Sequence, residues 1–470
     1  MGMMRRWILL FGVLVAPPLR AQTPEAPDTL PLTLQEAVAR ALRVGDEARI
    51  AAARVDAAEA QIAVARANGL PQLRLSGSFS HVYENARAQA VGQIFNQPNT
   101  FNVNATLSQT LFQGGRALAA TRVASNVHAA AEMTAAEART QIAFDVLSVY
   151  LQALLANRIV QIQEANFAQA TSHLEQVEQL ERAGRVSRYD LLRARVDRAN
   201  LEPALIQAQN DRDLALLELK RLTNIPVDRP IALTTVIEPE QVEAIAAAIA
   251  ADTSDGSDRP SLRAAEFTAR ARREGVRIAR ADMLPTVSIS LQSGYQAYPM
   301  ETRFPLERGR LESQCPPGTP PGRTCHNGGW FSDRLLGLNV SWPLFTGFRT
   351  KASIDAAQAE ARLAELALAQ QREAVALEIA RARAGLERAR ALYEAQRQNA
   401  AEAEEAYRLA SLRFSRGLST QLDVSAAQLA LLTAQTNQAR AIYELYLAAA
   451  ELARALGRPI PLPDGTQAPE

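Results

Sequence analysis

The sequence predicts an α+β membrane protein built from two internal repeats, each joining a long helical hairpin to a pair of membrane-length strands. Three observations carry this expectation. Two motifs recur at one spacing: Leu111-Phe112-Gln113-Gly114-Gly115-Arg116 returns as Leu344-Phe345-Thr346-Gly347-Phe348-Arg349, and Gly184-Arg185-Val186-Ser187-Arg188-Tyr189-Asp190 as Gly417-Leu418-Ser419-Thr420-Gln421-Leu422-Asp423, each 233 positions on. The stretches between them, Arg116 to Ala183 and Arg349 to Arg416, contain no proline and are dominated by Ala, Gln, Glu, Arg and Leu. These residues lose little side-chain freedom on a helix. Finally, four short segments alternate apolar and polar residues, so each has one dry and one wet face.

The two copies differ in one loop. Asn68-Gly69-Leu70-Pro71 faces Asp282-Met283-Leu284-Pro285 only 214 positions on, so the second copy carries 19 extra residues before its next landmark. The predicted division is a leader at 1–21, a first repeat at 22–222, a connector at 223–260, a second repeat at 261–457 and a disordered tail at 458–470.

Taken in order, Arg5 and Arg6 precede a short apolar run from Trp7 to Ala16, and Ala21 is a small residue suited to cleavage. That pattern is a secretory leader rather than a membrane span. Pro-rich Gln22 to Pro31 is expected to be mobile, and Leu34 to Arg66 helical with Thr33 as its N-cap. The first strand alternates Leu73, Leu75, Gly77, Phe79, His81 and Tyr83 with polar partners, and the second Phe101, Val103, Ala105 and Leu107.

The long stretch from Arg116 holds 68 residues, about 102 Å at helical rise. It turns at Gly184 and resumes at Ser187 as a helix to Leu222 with Pro203 as an expected break or kink. Pro226, Pro230 and Pro239 mark the connector, which holds a β-like run at Ile231 to Val236 and a small helix from Glu240 to Ala251. The second copy repeats the pattern with a helix from Ser261, strands on Val287 to Tyr295 and Leu336 to Leu344, and a final helix N-capped at Ser419 and stopped by Gly457. At roughly 10–14 residues the strands match a tilted transmembrane strand. No run after the leader approaches the 18 or more apolar residues of a transmembrane helix, which for an exported chain leaves a barrel or a soluble fold.

Composition excludes other classes. Among 470 residues the net charge is +1 and aromatics are 5%, which leaves little for nucleic-acid binding. The four histidines, His81, His128, His173 and His326, have no carboxylate at metal-binding spacing, and no phosphate, nucleotide or nucleophile motif is present. No cofactor and no enzymatic activity are expected. The extra loop carries both cysteines, Cys315 and Cys325. In an exported chain a single disulfide is expected over free thiols or a metal, because zinc needs four ligands.

Asp190 and Asp423 stand in the first helical turn after their tip glycines. One reading is favourable interaction with the helix dipole. The other is a carboxylate ring acting on passing cations.

The order helix, Leu-Pro-strand, strand-Leu-Phe-x-Gly-x-Arg, long helix, Gly-x-x-Ser/Thr-x-x-Asp turn and helix, repeated once, resembles the TolC-like outer membrane efflux proteins from about Leu32 to Leu456. Four strands are too few for a barrel, which needs about eight. The resemblance implies a homotrimer in the outer membrane lipid, with one twelve-stranded barrel and a periplasmic tunnel of twelve helices. It implies a passive exit duct of a tripartite efflux pump or type I secretion system, fed by an inner-membrane transporter through a periplasmic adaptor. By position, Gly184 and Gly417 mark the adaptor-docking tips, Asp190 belongs to the closed-state lock and Asp423 to the constricting ring. The chain departs from the pattern at Phe414, Ser419 and Ala426, where the family's lock and ring have polar or charged groups. The alternative is a soluble periplasmic coiled-coil adaptor, which leaves four alternating strands without a purpose.

Overall fold

The computed structural model describes residues 29–91, 98–299, 302–309 and 329–463. The leader at 1–21 and the expected Cys315–Cys325 disulfide lie outside them. The described chain runs β1 (Leu30–Leu32), α1 (Leu34–Val44), α2 (Asp46–Ala67), β2 (Gln72–His81), α3 (Ala86–Val91), β3 (Asn99–Gln113), α4 (Arg116–Arg182) and α5 (Arg188–Leu222). It continues with β4 (Ile231–Leu233), α6 (Pro239–Ala250), α7 (Pro260–Ala281), β5 (Thr286–Ala297), β6 (Trp330–Ser341), α8 (Arg349–Ser415) and α9 (Gln421–Ala455).

Helices α4 and α8 are 67 residues each, about 100 Å long. Helices α5 and α9 are 35 residues each. Helix α4 packs along α5 and α8 along α9, and the two hairpins meet chiefly through α4 and α9.

The four long strands form one antiparallel sheet in the order β2-β3-β5-β6. Its register sorts the side chains by face. Leu73, Leu107, Leu291 and Leu336 lie in one row, and Phe79, Phe101, Ala297 and Trp330 in another on the same side. The intervening rows present Gln72, Ser108, Ser290 and Gly337, then Ser76, Asn104, Gly294 and Asp333, to the other face. A bulge between Thr110 and Phe112 shifts the β3–β5 pairing and keeps Phe112 beside Val287 on the apolar side. The apolar face is bare: Leu73 and Leu75 are each 75% exposed and Leu336 69%. Phe101 stacks with Phe79 and Phe304 at ring distances of 4.6 and 5.4 Å at one end of the sheet. At the other end lie exposed Trp342, Phe345 and Phe348, an aromatic pair of belts around an apolar band.

The main core lies midway along the hairpins. Tyr150 of α4 is fully buried, and its hydroxyl donates to the Leu32 carbonyl at 2.8 Å and lies 3.1 Å from Thr235 Oγ1. Leu147, Leu219, Leu445 and Tyr446 pack around it. Beside this core, Arg259 of the connector donates to Glu137 of α4 at 2.7 Å and to Glu378 of α8, whose other oxygen accepts from Arg454 of α9 at 2.7 Å. Burial works against charge on Glu378, but Arg259 and Arg454 outweigh it and hold the carboxyl below its usual range.

Several expectations are corrected. Leu30–Leu32 is not a mobile leader; it pairs in parallel with Ile231–Leu233, which shortens the β-like run predicted to Val236. The helix predicted from Leu34 to Arg66 breaks at Gly45, whose extended backbone lets α1 bury its apolar stripe while α2 turns away. Of the break or kink expected at Pro203, the break is absent: α5 runs on through it. The proline lies on the exposed face, where solvent can satisfy the carbonyl left free by its missing N–H. The N-cap of α9 is Thr420, not Ser419. The tail is ordered at its start, because Ile460 and Leu462 are buried in the core. Finally, α4 does contain an 18-residue window long and apolar enough to cross a membrane. Its buried side chains, including Val146, Tyr150 and Leu151, instead line the core between the helices.

The candidate gate at the hairpin tips

Each hairpin turns on one glycine. Gly184 has φ +69° and Gly417 φ +73°, left-handed values that cost a side-chain-bearing residue about 1 kcal/mol or more. A Cβ at either position would meet no heavy atom within 4 Å, so backbone conformation rather than crowding selects glycine. Behind Gly184, Arg185 N–H donates to the Leu180 carbonyl at 2.9 Å; behind Gly417, Leu418 N–H donates to the Arg413 carbonyl at 2.8 Å. These bonds close both helices with the same left-handed motif.

The next helices open with matching capping boxes. Asp190 Oδ2 accepts from Ser187 N–H at 3.1 Å and from Ser187 Oγ at 2.6 Å, and Ser187 Oγ in turn accepts from Asp190 N–H. Asp423 Oδ2 accepts from Thr420 N–H at 2.8 Å and from Thr420 Oγ1 at 2.9 Å. The Thr420 N–H, followed by its hydroxyl, holds the Asp423 carboxyl below its usual range. Both aspartates therefore serve their own caps, and among the described residues neither bonds to the other hairpin.

The ties between hairpins come from residues that the sequence did not mark. His173 Nε2 of α4 lies 2.6 Å from Gln421 Oε1 of α9. Ser425 of α9 donates to Asp197 Oδ2 of α5 at 2.7 Å. Phe414 is buried in a tip core with Val177, Leu191, Ala194 and Val424, its ring 5.4 Å from that of His173. Ser419, in the turn, donates back to the Ala410 carbonyl of α8 at 3.4 Å and, among the described residues, makes no side-chain tie to the other hairpin. Gln421 is 3% exposed in the first turn of α9. A lone His in a long helix and a Gln beside a turn carry no periodic signal, so only the packing reveals the pair. Around the tips Tyr189, Leu192, Leu418 and Leu422 remain exposed.

A sheet with one bare apolar face, belted by aromatics and extended by helical hairpins of about 100 Å, defines an outer-membrane duct. The chain belongs to the outer membrane efflux protein family, whose model matches residues 40–224 and 257–458. It is an exit duct through the outer membrane, of the kind that serves efflux or type I secretion systems. It is 29% identical to Protein CyaE of Bordetella pertussis over 77% of this chain and 71% of that one. It is 23% identical to the toluene efflux pump outer membrane protein TtgF of Pseudomonas putida over 58% of this chain and 56% of that one. The fold is similar to that of VceC from Vibrio cholerae, with a TM-score of 0.69 over 90% of this chain and 96% of that one at 22% identity. It is also similar to the CmeC channel of Campylobacter jejuni, with a TM-score of 0.73 over 93% and 87% at 17% identity. The family match sets aside the soluble adaptor.

Proposed function

We propose that three copies of this chain close their sheets edge to edge into a twelve-stranded barrel, continued by a twelve-helix tunnel across the periplasm. The duct is passive, and an inner-membrane transporter drives substrate into it through a periplasmic adaptor. The observation that carries this reading is the sheet: four antiparallel strands, chiefly apolar on one face apart from a row ending in Ser293 and Arg334, chiefly polar on the other apart from Leu335, with no partner for the outer edges of β2 and β6 among the described residues. An open edge in a bilayer leaves backbone groups without hydrogen bonds, so neighbouring copies must supply them. The matching lengths of α4 and α8, and of α5 and α9, support a tandem duplication.

In this reading Gly184 and Gly417 shape the tips on which the adaptor docks, and exposed Tyr189 and Leu422 offer the apolar contact. Asp423 lines the constriction and Asp190 steadies the closed tip. The closed tip is held by His173–Gln421 and Asp197–Ser425, in place of ties that Phe414 and Ser419 cannot make. Photocrosslinkers placed at 189 and 422 in cells should capture an adaptor, whereas one at 363, far up α8, should not. Capture at 363 but not at the tips would refute tip docking.

A further inference from the structure

We propose that a cleft beneath the sheet, between the start of α4 and the end of α7, binds the phosphate of a phospholipid headgroup in the inner leaflet of the outer membrane. The cleft measures about 320 Å³ and is lined by Arg122, Arg277 and Arg280, with Leu118 and Leu284 beside them. Its place follows from the chain: α4 begins three residues after β3 ends, and β5 begins five residues after α7 ends. It therefore lies at the level where the apolar sheet face gives way to helices, with Trp342 donating to the Met283 carbonyl at 3.1 Å nearby. In the bilayer this is the depth of the inner-leaflet headgroups, so the assignment rests on the membrane reading of the sheet.

The charge in this cleft is only partly neutralised from within the protein. Arg277 pairs with Glu274 at 2.8 Å and Arg122 reaches the same carboxylate only at 4.0 Å. Arg280 makes no ion pair among the described residues. Three guanidiniums thus share one carboxylate, and their planar donor forks suit a phosphodiester. Leu118 is 59% and Leu284 44% exposed, an apolar lining that suits the glycerol end of acyl chains and gains nothing from water. Nor is the charge a requirement of the architecture. At the 214-residue offset between the copies, Asp56 and Glu59 of α2 stand where α7 has Arg270 and Arg273, and Ala63 stands where it has Arg277. Of the three cleft arginines, Arg280 has a counterpart in Arg66, whereas Arg277 is matched by Ala63 and Arg122 by Asp355 at the 233-residue offset, so the full cluster occurs once.

The test uses the full-length protein purified in mild detergent, with lipid retention read by native mass spectrometry. Phosphatidylglycerol should be retained over phosphatidylcholine, and R122Q/R280Q should lower that retention at least tenfold. R280K, which keeps the charge but loses the fork, should fall between. R263Q, altered where Arg263 pairs with Asp258 outside the cleft, should match the wild type. Equal phosphatidylglycerol retention by R122Q/R280Q and wild type would overturn the proposal. So would arginine-dependent binding of inorganic phosphate without any lipid preference, which would make the cleft a site for free anions. Insertion of the same proteins into liposomes is scored separately. Failure of the wild type to insert defeats the membrane reading, whereas normal insertion with unselective retention defeats only the lipid site.

Discussion

His173 and Gln421 join the two hairpins near their tips, with Nε2 and Oε1 2.6 Å apart and the glutamine almost wholly buried. The pair forms when Nε2 carries the proton and donates to the amide oxygen. Because Phe414 packs against the same imidazole, the contact is both polar and apolar. Gln421 stands about one turn beyond Gly417 and His173 about three turns before Gly184, so a small rotation of α9 against α4 would part them.

Removing this tie should favour the open tip. A neutral hydrogen bond contributes about 1 kcal/mol net, roughly a fivefold change in the closed-to-open ratio. His173→Ala and Gln421→Ala should each raise basal conductance in planar bilayers, and the double variant should add little beyond either. Additive effects would mean that the two residues act separately.

Asp423 is expected to act on cations rather than on folding. An Asn at this third helical position keeps an amide oxygen that can accept from Thr420 N–H and Oγ1, so Asp423→Asn should lower stability by no more than about 1 kcal/mol while weakening block by multivalent cations and altering cation preference. The Thr420 cap lowers the carboxyl's pKa. Block should therefore persist as the pH falls through the ordinary aspartate range and fade only below it. Unchanged selectivity and block in the variant would leave Asp423 with its capping role alone.

Much of this fold was legible because periodicity and punctuation carried it. Proline-free runs of helix formers gave α4 and α8, and alternation gave the strands. The Leu-Phe-x-Gly-x-Arg and Asp-Met-Leu-Pro motifs meet where Arg116 pairs with Asp282 at the base of the sheet. What stayed hidden depends on long-range packing. Leu30–Leu32 looks like leader until Ile231–Leu233 lies beside it, and Ile460 looks like tail until the core receives it. At the tips the 233-residue offset pairs Ser187 with Thr420, the cap of α9, but neighbouring Ser419 has the same capping chemistry and drew the expectation to itself. His173, Gln421, Asp197 and Ser425 come from three helices, and no local pattern could join them.

The connector should respond to acid in a defined window. Asp252 accepts from Arg458 Nε at 2.8 Å and from Ser254 N–H at 2.8 Å, and its pKa is lowered to about 2, first by Arg458. A carboxyl with a lowered folded pKa stabilises the fold fully above its ordinary value near 3.8 and loses that contribution as pH falls towards about 2. Asp252→Asn should therefore flatten the fall in thermal stability between those values and leave its pH dependence above 5 unchanged. An identical acid profile in the variant would rule out this contact as the cause.

Cys315 and Cys325 are expected to be joined in an extracellular loop, away from the adaptor. Peptide mapping without reduction should find them linked, and replacing both with Ser should leave assembly and transport nearly intact. Recovery of two free thiols would reject the disulfide.

The most direct test of the central claim is the stoichiometry of the full-length protein in mild detergent, measured by light scattering and by heat-modifiable migration. Closure of the β2 and β6 edges between copies predicts three protomers that stay together until heated. A folded, stable single protomer that keeps its sheet in detergent would contradict it.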